Sequence, residues 1–159
     1  MKFDFVSVGG GLAGLVAALR ASQLGLQSAV IEAGLGDSYP CNSRLAGGVF
    51  HVSYQDVRAS PDKLTKEMLL AGASDSPQLR AIANNAARAL DWLRCNGAGF
   101  ANFPQLKRGA WVMVPPRPLI SGFKNGASWL GRGPDLTLRA LKKRLLEIGG
   151  VFLQNSQGI

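Results

Sequence analysis

Histidine is nearly absent from this sequence, with His51 alone, and cysteine is limited to Cys41 and Cys95. Two widely separated cysteines make neither a disulfide framework nor a metal-ligand spacing, and a single histidine argues against a zinc site. Acidic side chains are scarce beside basic ones, 10 against 18, which leaves a net charge of +8. The basic residues are scattered, with small clusters only at Lys107-Arg108 and Lys142-Lys143-Arg144. The second cluster falls near the C-terminal end of a predicted helix, where the helix dipole favours cations. The excess charge is therefore expected to be solvated surface, with no nucleic acid as partner. No apolar run is long enough to span a bilayer, so no membrane is expected as a partner. Met1-Lys2-Phe3-Asp4 passes directly into an apolar strand, without the separate regions of a secretory signal. The expectation is a soluble cytoplasmic protein without internal repeats.

What is present fits one globular domain. The chain has 159 residues, 47% of them hydrophobic, and 20 glycines that fall largely at turn positions. Phe3 to Val8 reads as an apolar strand running into Gly9-Gly10-Gly11. Leu12 to Leu24 has alanines and leucines at helical spacing and stops before Gly25. Ser28 to Ile31 is a second buried strand, closed by Glu32. Strand, glycine turn, helix and strand in thirty-two residues make a βαβ unit.

Beyond it, 34–40 is a loop rich in Gly, Asp and Ser, and 42–52 is mostly apolar. Ser60-Pro61 and Ser76-Pro77 are two helix-start signals. The first opens a helix to about Ala71 and the second a longer one to about Cys95. The apolar stripe of the longer helix is Leu79, Ile82, Ala83, Ala86, Leu90 and Leu93. Residues 98–133 are predicted to hold strands and loops, with a hairpin near Trp111 to Val114. Pro134-Asp135 opens a last helix with leucines at 136, 138, 141, 145 and 146, and Val151 to Leu153 is a last strand.

Gly9-x-Gly11-x-x-Gly14 carries the chemistry. Gly9 permits the tight turn out of the strand, Gly11 lets backbone approach a pyrophosphate, and Gly14 lets helix and strand pack closely. The helix start at Leu12 and Ala13 then offers free N–H groups to phosphates. Glu32, followed by Ala33, lies at the carboxyl end of the second strand, where a carboxylate accepts both hydroxyls of an adenosine ribose. The pattern predicts a Rossmann-type dinucleotide site but does not separate FAD from NAD.

Four stretches carry a resemblance that does separate them. These are Val8 to Leu15, Asn42-Ser43-Arg44-Leu45-Ala46-Gly47-Gly48, Asp75 to Leu79 leading to Asp91-Trp92-Leu93, and Gly131-Arg132-Gly133 with its helix. Together they resemble the N-terminal FAD-binding region of the fumarate reductase and succinate dehydrogenase flavoprotein family, which includes ketosteroid dehydrogenases. The resemblance implies an α/β fold, a Rossmann-like FAD-binding domain over 1–159 with a parallel sheet and flanking helices. It places Ser43, Ala46, Gly47 and Gly48 beside the flavin ring and ribityl chain, although the same run also reads as a tightly packed helix start. Membrane-bound members attach FAD to a histidine just before that run. Cys41 and Asn42 stand there in this chain, so the FAD is expected to be non-covalent.

His51 and Trp92 are read as structural. Trp111 to Pro118 either lines a substrate entrance, with Arg117 meeting an acidic substrate, or is a rigid connector. Members of the family continue into a capping domain that binds the small-molecule substrate. The chain is accordingly expected to be an N-terminal portion, truncated before that domain, and no catalytic acid or base is nominated within it. The expected function is that of an FAD-binding oxidoreductase segment, with hydride transfer between flavin and a carbon–carbon bond next to a carbonyl or carboxylate. The alternative is a non-catalytic remnant, or an FAD-binding subunit whose fold a partner chain completes.

Overall fold

The computed structural model describes residues 1–103, 110–116 and 129–158. Strand β1 (Phe5–Val8), helix α1 (Leu12–Gln23) and strand β2 (Ser28–Ile31) form the βαβ unit. β2 lies between β1 and the last strand, β6 (Val151–Leu153), and both pairings are parallel. Buried on both faces, Ser28, Ala29 and Val30 make β2 the centre of this sheet. On β1 the alternation of side chains turns Phe5 toward the main core and leaves Val6 and Val8 exposed.

One core joins this sheet to its helices. Leu15, Ala18 and Leu19 of α1 meet Val30, Leu93, Ala98 and Leu138, Leu141 and Leu145 of α5 (Gly133–Glu147). Of the five leucines predicted along α5, Leu138, Leu141 and Leu145 share the buried stripe, whereas Leu136 and Leu146 face solvent. A second core of Leu64, Met68, Leu79 and Ala83 joins α3 (Pro61–Leu70) to α4 (Pro77–Cys95). Both helices begin as the sequence predicts. The Ser60 hydroxyl accepts from the Lys63 N–H and the Ser76 hydroxyl from the Leu79 N–H, with proline at the first helical position of each. Ile82 departs from its expected place and is exposed, because the buried stripe of α4 runs through Leu79, Ala83, Leu90 and Leu93.

The second sheet is antiparallel, with β5 (Ala110–Met113) between β3 (Val49–Phe50) and β4 (Phe100–Phe103). β5 covers most of the predicted hairpin region, and its partner β4 lies in the segment read only as strands and loops. Phe50 and Phe100 meet edge to face at 5.0 Å between centroids, which ties β3 to β4 across β5.

A buried ion pair locks α2 (Asn42–Leu45) to α5. The Arg44 guanidinium bonds the Asp135 carboxylate, and the two residues are 1% and 0% exposed. Asp135 also accepts from the Gly131 N–H at 2.8 Å and from Arg139 at 3.2 Å. Burial pushes the Asp135 carboxyl up, but the Gly131 N–H, Arg139 and Arg44 outweigh it and hold the group below its usual value. The predicted basic cluster is laced by acids at the surface. Lys142 reaches Asp37 at 2.9 Å, and Arg144 reaches Glu147 at 3.2 Å. Lys107 and Arg108 lie outside the described residues.

Two stability tests follow from this packing. Leu141→Ala opens a void beneath α1 and is expected to cost about 2–5 kcal/mol in urea unfolding, whereas Leu136→Ala changes stability by less than about 0.5 kcal/mol. Asp135→Asn leaves Arg44 buried without its counter-charge and is expected to cost about 3–5 kcal/mol near neutral pH. A carboxyl lowered on folding stabilises fully above its unfolded value of 3.8 and loses that contribution as pH falls through the lowered folded value. Unfolding curves of wild type and Asp135→Asn should therefore converge in the acid range. A gap that stays constant there would show that ionised Asp135 is not its source.

Candidate functional site

The glycine turn sits where β1 hands over to α1. Gly9 has φ +100°, a left-handed conformation that only glycine adopts without strain, and its N–H donates to the Ile31 carbonyl at 2.7 Å. Gly14 is fixed by crowding. A Cβ there would stand 2.0 Å from the Gly9 carbonyl oxygen and 2.7 Å from the Ser7 hydroxyl, so no side chain fits between α1 and β1. Gly11 is the N-cap of α1 and supplies no capping side chain. The cap comes from outside: the Leu12 N–H donates to the Ser43 hydroxyl at 3.0 Å. Ser43 thus stands at the positive end of a twelve-residue helix, where anions are favoured.

Glu32 closes the turn from the end of β2. It is buried, with Oε2 accepting from the Gly10 N–H at 2.7 Å and Oε1 from the Gly34 N–H at 2.8 Å. Each carboxylate oxygen keeps a second lone pair, so the group can accept hydroxyl donors without giving up both backbone bonds. Ala13 and Ala33 are exposed on either side of this turn.

The loop after Glu32 adds a residue that sequence reasoning missed. Tyr39 is buried, its hydroxyl donating to the Gly10 carbonyl at 2.6 Å. Burial pushes this hydroxyl up to about 12, against a smaller lowering by Arg44, whose guanidinium lies 4.6 Å from the ring centroid. The sequence shows only a tyrosine in a polar loop, and nothing in it marks that contact.

Beyond the turn lies a cleft of about 320 Å³, and Leu12, Ser43, Ala46, Gly47 and Gly48 all line it. Val49, Phe50 and Met113 complete the lining. Five of the sequence-nominated residues are thus gathered around one cleft, and Gly9, Gly11, Ala13, Gly14, Glu32 and Ala33 make the adjoining turn and strand end. Gly48 has φ +72°, and a Cβ there would meet Pro134 at 3.0 Å and Met113 at 3.1 Å. Gly133 is tighter still, because a Cβ would fall 2.3 Å from the Met113 carbonyl carbon. The glycines therefore let the antiparallel sheet close against the start of α5 and form one wall of the cleft.

The remaining nominees are elsewhere. His51 is exposed, stacked on Tyr54, and its Nδ1 accepts from the Tyr54 N–H at 3.1 Å, so it serves a local turn. Trp92 is half-buried against the main core, as a structural residue would be, and its indole N–H donates to Gln23 at 3.0 Å. Arg117 and Pro118 lie outside the described residues. Both cysteines are free, and among the described residues no cluster of metal-ligating side chains occurs and no helix is long and apolar enough to cross a membrane.

An anion-favouring helix start with a buried carboxylate on one side and a small-residue cleft on the other fits an extended dinucleotide. Comparison with known proteins agrees. No curated protein sequence matches the chain. Among solved structures, a 3-ketosteroid-Δ4-(5α)-dehydrogenase from Rhodococcus jostii is similar over 96% of this chain and 38% of its own, with TM-score 0.67 and 18% identity. Sdh1 of Mycobacterium smegmatis, in complex with UQ1, is similar over 98% of this chain and 28% of its own, with TM-score 0.67 and 18% identity. A 3-ketosteroid Δ1-dehydrogenase from Sterolibacterium denitrificans is similar over 96% of this chain and 40% of its own, with TM-score 0.64 and 18% identity. The chain thus spans well under half the length of these structures, and at such identities the likeness is one of fold. The family described as FAD binding domain matches residues 4–140, most of the chain. On that match the chain belongs to the FAD-binding domain family, and FAD is its cofactor.

Proposed function

We propose that this chain is the FAD-binding portion of an FAD-dependent oxidoreductase. In this reading Gly9, Gly11, Leu12, Ala13 and Gly14 receive the pyrophosphate, and Glu32 and Ala33 the adenosine ribose. Ser43, Ala46, Gly47 and Gly48 lie against the ribityl chain and the flavin, held without a covalent bond. The observation that carries the reading is the continuity of the two halves. Leu12 and Ser43 belong both to the capped start of α1 and to the lining of the cleft.

When bound, the flavin supplies two-electron redox chemistry, and the protein supplies binding, orientation and exclusion of water. The reaction class is hydride transfer between flavin N5 and a carbon–carbon bond next to a carbonyl or carboxylate. The ketosteroid dehydrogenases among the structural neighbours support that class. In this reading substrate recognition falls to a capping domain or a separate subunit.

A second reading, an FAD-binding subunit completed by a partner chain, is favoured by the edge of the parallel sheet. Among the described residues β1 has a strand neighbour on one side only, and its Val6 and Val8 are 45% and 70% exposed. An open strand edge with apolar side chains is a template for pairing with another strand.

The first experiment is a flavin assay of the purified chain: absorbance in the flavin bands, then identification of the cofactor released by acid. Near-stoichiometric FAD is expected. A soluble, colourless protein that also ignores added FAD would overturn autonomous binding and leave the partner-dependent reading. Recovery of FAD binding on adding a second chain would then support it.

A further inference from the structure

Gly10, the middle residue of the glycine turn, is gripped on both sides of its peptide. Its N–H donates to Glu32 at 2.7 Å, and its carbonyl accepts the Tyr39 hydroxyl at 2.6 Å. Tyr39 is 1% exposed, so this bond is made away from bulk water. The ring is packed by Phe152, at 5.6 Å between centroids, and by the Arg44 guanidinium. Two glycines make room for it. A Cβ on Gly10 would stand 2.9 Å from the Tyr39 hydroxyl, and one on Gly34 would stand 2.5 Å from the Tyr39 Cβ. With its pKa pushed up to about 12, the hydroxyl stays a donor at any pH at which the protein would work.

The two grips are not equivalent once a nucleotide binds. Ribose hydroxyls would share the Glu32 carboxylate with the Gly10 and Gly34 N–H groups, whereas the Tyr39 bond is made to the Gly10 carbonyl and is not shared with them. Three consecutive glycines have more backbone freedom than any other tripeptide, and a turn left loose must be ordered when the ligand arrives. A group that orders it beforehand lowers the cost of binding.

We propose that Tyr39 is a positioning residue for the adenosine-diphosphate half of FAD, its hydroxyl fixing the Gly10 peptide so that the Gly9–Gly11 turn is ready for the phosphates. This inference rests on the FAD site proposed above. It confines the effect of Tyr39 to ligands that carry the ADP half. Riboflavin, which lacks both phosphates and the adenosine, uses the cleft around Ser43 and Ala46–Gly48 and is indifferent to the hydroxyl.

Dissociation constants of FAD, ADP and riboflavin, measured on the whole chain by flavin fluorescence and calorimetry, test the proposal. In Tyr39→Phe, FAD and ADP are expected to bind about tenfold more weakly, with riboflavin unchanged. Replacement of Tyr39 by p-aminophenylalanine, which keeps a donor at the para position, should restore most of the loss. An equal loss for riboflavin and FAD, or no loss for FAD, would overturn the positioning role while leaving the FAD site intact. Wild-type protein that binds neither FAD nor ADP would instead sink the site itself, and this inference with it. Should Tyr39→Phe fail to fold, amide exchange of the unliganded wild type decides. Slow exchange at Gly10 and Gly11 supports a turn ordered in advance, and fast exchange there overturns it.

Discussion

The close approach of α1 to β1 at Gly14 is the constraint on which the rest of the site depends. With the Gly9 carbonyl oxygen only 2.0 Å from where a Cβ would stand, α1 can lie against the strand at one depth only. That depth sets where the helix begins, and hence where the free ends of its first N–H groups point. Ser43, the Gly9–Gly11 turn and the Glu32 carboxylate all take their positions from that start. A slightly larger residue at 14 would push the helix outward and separate the turn from the cleft. Leu15, Ala18 and Leu19 hold the same helix down against Val30 and α5, so main-core packing and site geometry are one requirement.

The second constraint acts over a longer stretch of chain. Arg44 and Asp135 are 91 residues apart in sequence and meet almost entirely out of water. A buried pair of this kind is weak evidence for net stability, because desolvation offsets much of the attraction. Its consequence is placement. Asp135 stands in the first turn of α5 and is tied to the segment just before that helix by the Gly131 N–H, and Arg44 is the neighbour of Ser43 on α2. The pair therefore brings the segment that caps α1 into register with the helix start that backs the cleft. Gly48 and Gly133, each in close contact with Met113, fix the same seam by shape.

How much of this was legible follows from how local each signal is. The serine–proline helix starts, the glycine turn and the acid after β2 are all written within a few residues, and each appears in its expected element. The stop signals are equally local. Gly25, Gly97 and Gly149 all take positive φ just past the ends of α1, α4 and α5. Ile82 misled because an apolar residue at helical spacing is compatible with two adjacent faces, and only packing against α3 selects the one through Leu79 and Ala83. Strand β4 was not singled out, since Phe100-Ala101-Asn102-Phe103 is too short for a clear alternation. Arg44 and Asp135 each look like an ordinary surface charge in sequence. Tyr39 looks like an ordinary loop aromatic. Their roles come from long-range proximity, on which a single sequence has no direct reading.

The glycine turn by itself favours no particular dinucleotide, because FAD and NAD share the adenosine-diphosphate half that it suits. Discrimination falls to what lies next to the turn. Here that neighbour is a cleft whose nearer wall is built from Ala46, Gly47 and Gly48, so a flat ring system can approach the backbone itself. Its far wall is Val49, Phe50 and Met113, apolar side chains held by the antiparallel sheet. Leu12 and Ser43 stand at the junction, so a ligand occupying both sites must run lengthwise across the start of α1. An isoalloxazine on a flexible ribityl chain would lay a ring face on that small-residue wall, where backbone groups can meet its polar edge. In the proposed reading the antiparallel sheet, which the glycine fingerprint does not mention, adds beside a general nucleotide turn the small-residue and apolar cleft in which the flavin ring would lie.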